Sequence, residues 1–249
     1  MKNKSNIWLK ISIFFLLLTF VSATVLCLSL VINKKSKLLT ENLIKEVVYE
    51  NSDSDDETTD NLLPISVDFK SLLKKNKDII AWIYCKNTQI NYPIVQSEDN
   101  QYYLRRLLNG TWAIAGTLFV DYRNSKDFSD PYTVIYGHNM RDDTIFGSLH
   151  KYSDPDYWNE HSEMYIFTPE INYRLDLVSG FVTTADSDFY KIYKDNDIRD
   201  NLFREAVSNS LFLEDSMLNK NDRLVVLSTC SHEYNNARYV LIGILNEIS

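Results

Sequence analysis

A mostly antiparallel, closed β-sheet of eight strands is the fold class the sequence predicts, and three observations predict it. Eight runs of strand length, rich in aliphatic, β-branched and aromatic residues, recur through residues 79–245. Turn-forming groups punctuate them, among them Asn91 to Pro93, Asn109-Gly110 and Ser129-Asp130-Pro131. Little helical pattern separates most of the runs, which argues against the strand–helix alternation of a doubly wound fold.

The chain begins elsewhere. Residues 1–10 form a short tail, and Ile11 to Ile32 holds no charged side chain. As a helix this stretch spans about 33 Å, enough to cross a bilayer core. Lys10 on one side and Lys34, Lys35 and Lys37 on the other leave its orientation open. Ser22-Ala23-Thr24 makes a poor cleavage site, and Leu26 is too bulky to precede a lipidated Cys27. The stretch therefore reads as an uncleaved N-terminal anchor.

Residues 33–64 change character. A weak helical stretch, Leu38 to Val48, leads into the acidic run Asn51 to Asp60, which has almost no apolar residue. Such a run cannot bury enough surface to offset its ordering entropy, so 33–64 reads as a solvated stalk. It lacks the turn glycine and terminal glutamate of an EF-hand calcium loop.

Residues 65–249 are one domain's worth, able to bury about 70% of the unfolded-chain surface. The whole chain carries a net charge of −8. With the seven basic and eight acidic residues of 1–64 set aside, 19 basic and 26 acidic residues remain, a net charge of −7. That balance argues against nucleic acid as a partner, and against bulk attraction to anionic polymers. Within the domain Asp68 caps a short helix, Phe69 to Lys75. The strand runs follow: Ile79 to Tyr84, Ile90 to Val95, Thr117 to Val120, Tyr132 to Tyr136, Met164 to Thr168, Tyr173 to Thr184, Arg223 to Ser228 and Tyr239 to Leu245. One longer helix precedes the last two. Asp197 is its expected N-cap, with Ile198, Leu202, Phe203, Ala206, Val207 and Leu211 as a core-packing stripe. Arg199, Asp200, Arg204, Glu205 and Ser208 fall on its other face.

Three cysteines occur, one of them Cys27 in the apolar run. Cys85 has apolar neighbours and reads as a small buried hydrophobe; a Cys85–Cys230 bridge is the minority alternative. No paired CxxC units and no HExxH are present, so zinc chemistry finds no support. Cys230 ends one strand run and Arg238 opens the next, while a third run ends at Gly137-His138. A thiol, an imidazole and a guanidinium at strand ends suit a cysteine-nucleophile site. From spacing alone, an inert thiol fits Cys230 equally well, and a surface ion pair fits Arg238 better than a functional role.

The ordered set of motifs resembles the class B sortases. It comprises Ile90-Asn91-Tyr92-Pro93-Ile94-Val95-Gln96, Asp99-Asn100-Gln101-Tyr102-Tyr103-Leu104 and Gly116-Thr117-Leu118-Phe119-Val120-Asp121-Tyr122-Arg123. Tyr136-Gly137-His138-Asn139-Met140, Leu227-Ser228-Thr229-Cys230 and Ala237-Arg238-Tyr239-Val240 complete it. One departure is Val226, where the family motif has threonine; a packing change is expected there.

The resemblance implies an eight-stranded sortase barrel with an N-terminal helix and a late helix. It also implies a membrane-anchored cysteine transpeptidase, N-terminus inside and domain outside a Gram-positive cell, without metal or organic cofactor. Such an enzyme cuts secreted proteins at a C-terminal sorting signal of the NPxTN or S/NPxTG type. It joins the new carboxyl end to a peptidoglycan amine. By the same resemblance Cys230 is the nucleophile, His138 the general acid and base, and Arg238 the oxyanion and substrate partner. Asn100 and Leu104 line the substrate pocket, Ser228 and Thr229 give hydrogen bonds near the thioester, and Glu233 orients substrate or His138. His150 and His161 read as surface residues, and His232, close to Cys230 in sequence, is expected to point away from the sulfur. A pilin polymerase, a catalytically silent surface-binding domain and a plain cysteine peptidase are the alternatives.

Overall fold

The computed structural model describes residues 2–51, 63–192, 194–210, 219 and 221–248. Two compact units divide the chain, Met1–Asn42 and Leu43–Ser249. Helix α1 runs from Lys2 to Val47. Residues 7–47 of it form, among the described residues, the one helix long and apolar enough to cross a membrane. Its side chains Phe14, Leu16, Phe20 and Leu26 are all exposed.

The second unit reaches further back than composition suggests. Val47 is completely buried against Ile65, Leu72, Trp82 and Phe119. Strand β1 (Val48–Glu50) pairs antiparallel with β2 (Ile65–Val67), a two-stranded sheet the sequence did not announce. The compact unit that holds these contacts starts at Leu43. The acidic run expected as a stalk lies outside the described residues from 52 to 62. Helix α2 (Phe69–Lys75) starts where predicted: the Asp68 carboxylate accepts from the Ser71 amide at 3.0 Å, a bond that lowers its pKa.

All eight expected strands form, and they close into one barrel. They are β3 (Ile79–Tyr84), β4 (Asn91–Val95), β5 (Leu118–Val120), β6 (Tyr132–Tyr136), β7 (Glu163–Phe167), β8 (Asn172–Thr184), β9 (Arg223–Cys230) and β10 (Ala237–Ile248). Around the barrel the order is β10, β8, β7, β3, β4, β5, β6, β9. Two pairings are parallel, β4 with β5 and β6 with β9; the others are antiparallel. Alternation along β9 sends Val225 and Leu227 to the interior cluster, and Leu224 and Val226 to the opposite face.

That opposite face is covered by helix α4 (Asn196–Asn209). Its Leu202, Phe203 and Ala206 pack against Val178, Phe181, Val226, Val240 and Ile242. Two details differ from expectation. The N-cap is Asp195, whose carboxylate accepts from the Asp197 amide at 2.8 Å, so Asp197 sits in the first turn. Arg199, assigned to the polar face, is buried and reaches the Asp222 carbonyl and the Asp200 carboxylate. Leu211 lies outside the described residues. The stretch between β6 and β7 is also less polar in its packing than in its composition. A 3-10 segment, Gly147–Ser153, and helix α3 (Pro155–Glu160) bury Leu149, Tyr152 and Trp158 in the barrel interior.

Candidate active site

Strand register brings the sequence-predicted residues together. Cys230 and Arg238 are directly paired across β9 and β10. The parallel pair β6/β9 matches Tyr136 with Ser228, and the Gly137 amide continues the ladder onto the Ser228 carbonyl at 3.1 Å. His138 and Cys230 each lie two residues beyond that match, so alternation puts both on the face of Ser228 and Tyr136. Asn139 ties the two strand ends together, its amide donating to the Cys230 carbonyl at 2.8 Å. A groove of about 280 Å³ opens here, lined by Asn100, Leu104, Tyr136, His138, Tyr190, Ser228, Cys230 and Arg238, among others.

Cys230 is exposed and its thiol free. Cys85 is also free, buried on the interior side 3.5 Å from the Tyr152 hydroxyl, and burial raises its pKa. The two sulfurs belong to opposite faces of the barrel wall, so the Cys85–Cys230 bridge has no place in this fold.

His138 is half-buried. Its Nε2 lies 2.7 Å from the Leu104 carbonyl oxygen, which can only accept, so Nε2 carries the proton and Nδ1 is left to gain and lose one. Burial lowers the imidazole pKa; the Leu104 bond opposes that shift and the Arg105 charge adds to it.

Arg238 is half-buried and has no carboxylate within salt-bridge distance among the described residues. Its Nη1 donates to the Ala237 carbonyl at 3.0 Å. The surface ion pair that would explain it structurally is therefore missing. The loop joining Cys230 to Arg238 closes through the Ser231 amide on the Ala237 carbonyl at 2.9 Å, with Asn236 in the left-handed region at φ 62°. Asparagine tolerates that conformation better than most residues.

The remaining expectations divide. Asn100 and Leu104 line the groove from the segment before β5, and Ser228 lines it from β9, its Oγ 2.8 Å from the Tyr190 hydroxyl. Thr229 borders the groove, but alternation turns its side chain to the interior beside Tyr239, and its buried hydroxyl has no hydrogen-bond partner among the described residues. Glu233 is exposed in the β9–β10 loop and is not part of the groove lining. His232 and His150 are exposed and outside the groove; His161 is not the surface residue expected. It is buried, stacks on Tyr157 and bonds the Tyr157 carbonyl at 2.9 Å through Nδ1.

Tyr136 and Tyr190 went unpredicted. Tyr136 could have been found, since alternation places it on the face of His138. Tyr190 lies in the irregular 3-10 turn Asp188–Tyr190, where no periodicity marks it. Its ring stacks on Tyr136 at 6.1 Å, and burial pushes its pKa up to about 12.

No protein-family model matches the chain. It is 36% identical over 182 residues to Sortase B of Listeria monocytogenes, covering 71% of this chain and 73% of that one. It is 30% identical over 188 residues to Sortase B of Staphylococcus aureus, covering 73% and 75%. Among solved structures it resembles a Staphylococcus aureus sortase B–substrate complex, with a TM-score of 0.68 and 28% identity over 73% of this chain and 85% of that one. It also resembles a Bacillus anthracis protein described as similar to sortase B, with a TM-score of 0.71 and 31% identity over 87% and 98%.

Proposed function

This chain belongs to the sortase B family, and from that premise we propose that it cuts a C-terminal sorting signal of the NPxTN or S/NPxTG type after threonine and passes the acyl group to a peptidoglycan amine. The register match of Cys230 with Arg238, with His138 carried alongside on β6, is the observation that best supports this reading.

The chemistry follows from the side chains. The Cys230 thiolate attacks the threonine carbonyl carbon, and the Arg238 guanidinium faces the negative charge that develops on oxygen. Protonated His138 gives its Nδ1 proton to the departing amine as the C–N bond breaks, leaving a thioester on Cys230. An incoming amine then attacks the thioester, its proton passes to Nδ1, and the C–S bond breaks to restore the thiolate. Throughout, Leu104 keeps Nε2 protonated and the ring in one orientation. Asn100, Leu104 and Ser228 contact the donor peptide. The apolar helix supports a role as single-pass anchor; placing the domain on the outer surface rests on the family resemblance alone.

A fluorogenic sorting-signal peptide tests this. Cleavage by the intact chain is expected to vanish in Cys230→Ala and His138→Ala, and an added amine should convert the product from free acid to amide. Water as the sole acceptor would make the protein a peptidase; cross-linked subunit ladders would make it a pilin polymerase. No cleavage of any such peptide would leave a silent binding domain.

A further inference from the structure

Asp121 follows directly after β5, and its side chain is completely buried. A buried carboxylate is costly unless its oxygens are satisfied, and here they are. Oδ2 accepts from Asn100 Nδ2 at 2.9 Å, from Arg123 Nη2 at 2.8 Å and from the Tyr136 hydroxyl at 3.0 Å. Oδ1 accepts from the Arg123 amide at 3.0 Å and from its Nε at 2.8 Å. Burial alone would raise the carboxyl pKa, but the Arg123 and Asn100 bonds outweigh it and the pKa is lowered.

The bonds continue outward in two directions. Asn100 Oδ1 accepts from the Tyr122 amide at 3.0 Å, which fixes the amide plane of Asn100 in one wall of the groove. Arg123 Nη2 also donates to the Tyr190 carbonyl at 2.8 Å. Tyr190 forms the other wall, stacked on Tyr136 and bonded to Ser228. Neither wall is held by strand ladders, because the 100–104 segment and the Asp188–Tyr190 turn are both irregular. Side chains have to set their separation, and four groove residues trace back to one carboxylate. Asp121 and Arg123 do not themselves line the groove.

From this we infer that Asp121 and Arg123 are positioning residues, a buried strut that sets the distance between the Asn100 and Tyr190 walls and so governs how the donor peptide seats. The inference rests on reading the groove as the donor-peptide site. It assigns the pair no contact with the reacting atoms.

The molecule supplies its own control. Asp130 is likewise buried and bonded, to Asn124 Nδ2 at 3.0 Å and to the Ser125 amide and hydroxyl at 2.6 and 2.8 Å, with Lys194 nearby. None of those partners lines the groove. Losing either carboxylate should lower stability; only one should disturb the walls. The test compares Asp121→Asn, Arg123→Lys and Asp130→Asn in the full chain, with two readouts. One is KM and kcat for a sorting-signal peptide. The other, which needs no turnover, is the set of NMR contacts between the Tyr190 ring, Tyr136 and Ser228.

For Asp121→Asn the expected result is a donor KM raised about tenfold with kcat changed less than about threefold, and weakened Tyr190 contacts. Arg123→Lys, which keeps charge but loses the fork, should fall the same way. Asp130→Asn should melt earlier yet keep KM and contacts. If Asp121→Asn and Asp130→Asn behave alike in both readouts, the strut is overturned. If the Tyr190 contacts weaken selectively but the intact chain cleaves no sorting peptide, the strut stands and the donor-peptide reading of the groove fails.

Discussion

The Leu104 carbonyl oxygen and Nε2 of His138 are 2.7 Å apart, joining the irregular segment before β5 to the second residue beyond β6. A backbone acceptor thereby selects the imidazole tautomer, the task a carboxylate performs in many triads. Gly116 leaves the room that carbonyl occupies. It sits at φ 61°, and a Cβ there would fall 2.5 Å from the Leu104 oxygen and 2.6 Å from the Tyr103 oxygen.

Gly116→Ala is accordingly expected to displace the Leu104 carbonyl. It combines a left-handed backbone with a direct clash, so a stability loss of about 1–3 kcal/mol should appear in urea denaturation. Peptide cleavage should drop more than stability explains, because His138 loses its orientation. Retained activity and an unchanged His138 NMR spectrum would separate the glycine from the histidine.

His138 also predicts a pH dependence. Its folded-state pKa is lowered from the ordinary 6.5, burial being the main cause. As pH falls below about 6.5 the unfolded chain takes up the proton first, so this residue contributes stability above that pH and loses it as pH falls through the folded value. Denaturant midpoints measured from pH 7.5 to 5 should show a shallower decline in His138→Gln than in the intact chain. An imidazole titration midpoint above 6.5 would show that burial does not dominate.

Arg238→Lys is expected to lower kcat about 10²- to 10³-fold, the usual cost of losing one oxyanion donor. Lysine keeps the charge but not the planar fork, and the shorter reach of its single ammonium leaves the developing oxyanion less supported. Donor KM should move far less. Steady-state kinetics with a saturating amine separates the two effects; a change confined to KM would make Arg238 a substrate contact only.

The cap of α4 offers a test remote from the chemistry. Asp195→Ala should cost about 1 kcal/mol of stability, while Asp197→Ala should cost a few tenths at most. Both should keep wild-type kcat/KM. Equal losses in the two variants would contradict the observed cap.

Much of the barrel was legible because each strand carries its own short-range signal. Tyr132 to Tyr136 and Ile79 to Tyr84 are dense in β-formers and bounded by turn residues, and both strands have the predicted limits. The grouping of Cys230, Arg238 and His138 was foreseeable for a related reason, since each ends or opens a strand run. Features set by distant partners were hidden. Arg199 looks solvent-facing by periodicity, yet it is buried and reaches the Asp222 carbonyl, 23 residues away. Two aspartates stood near the start of α4, and the extended backbone of Asp195, at φ −130° and ψ 127°, decided between them. Tyr190 acquires its place from Arg123 and Ser228, neither of which is near it in the chain.

The β1–β2 ladder has a mechanical corollary. Glu50 pairs with Ile65, the Asn51 amide donates to the Pro64 carbonyl at 3.2 Å, and Asn51 Nδ2 reaches the Leu63 carbonyl at 2.9 Å. Residues 50 and 65 are therefore held side by side. Tension applied along the polypeptide would be borne by that clasp.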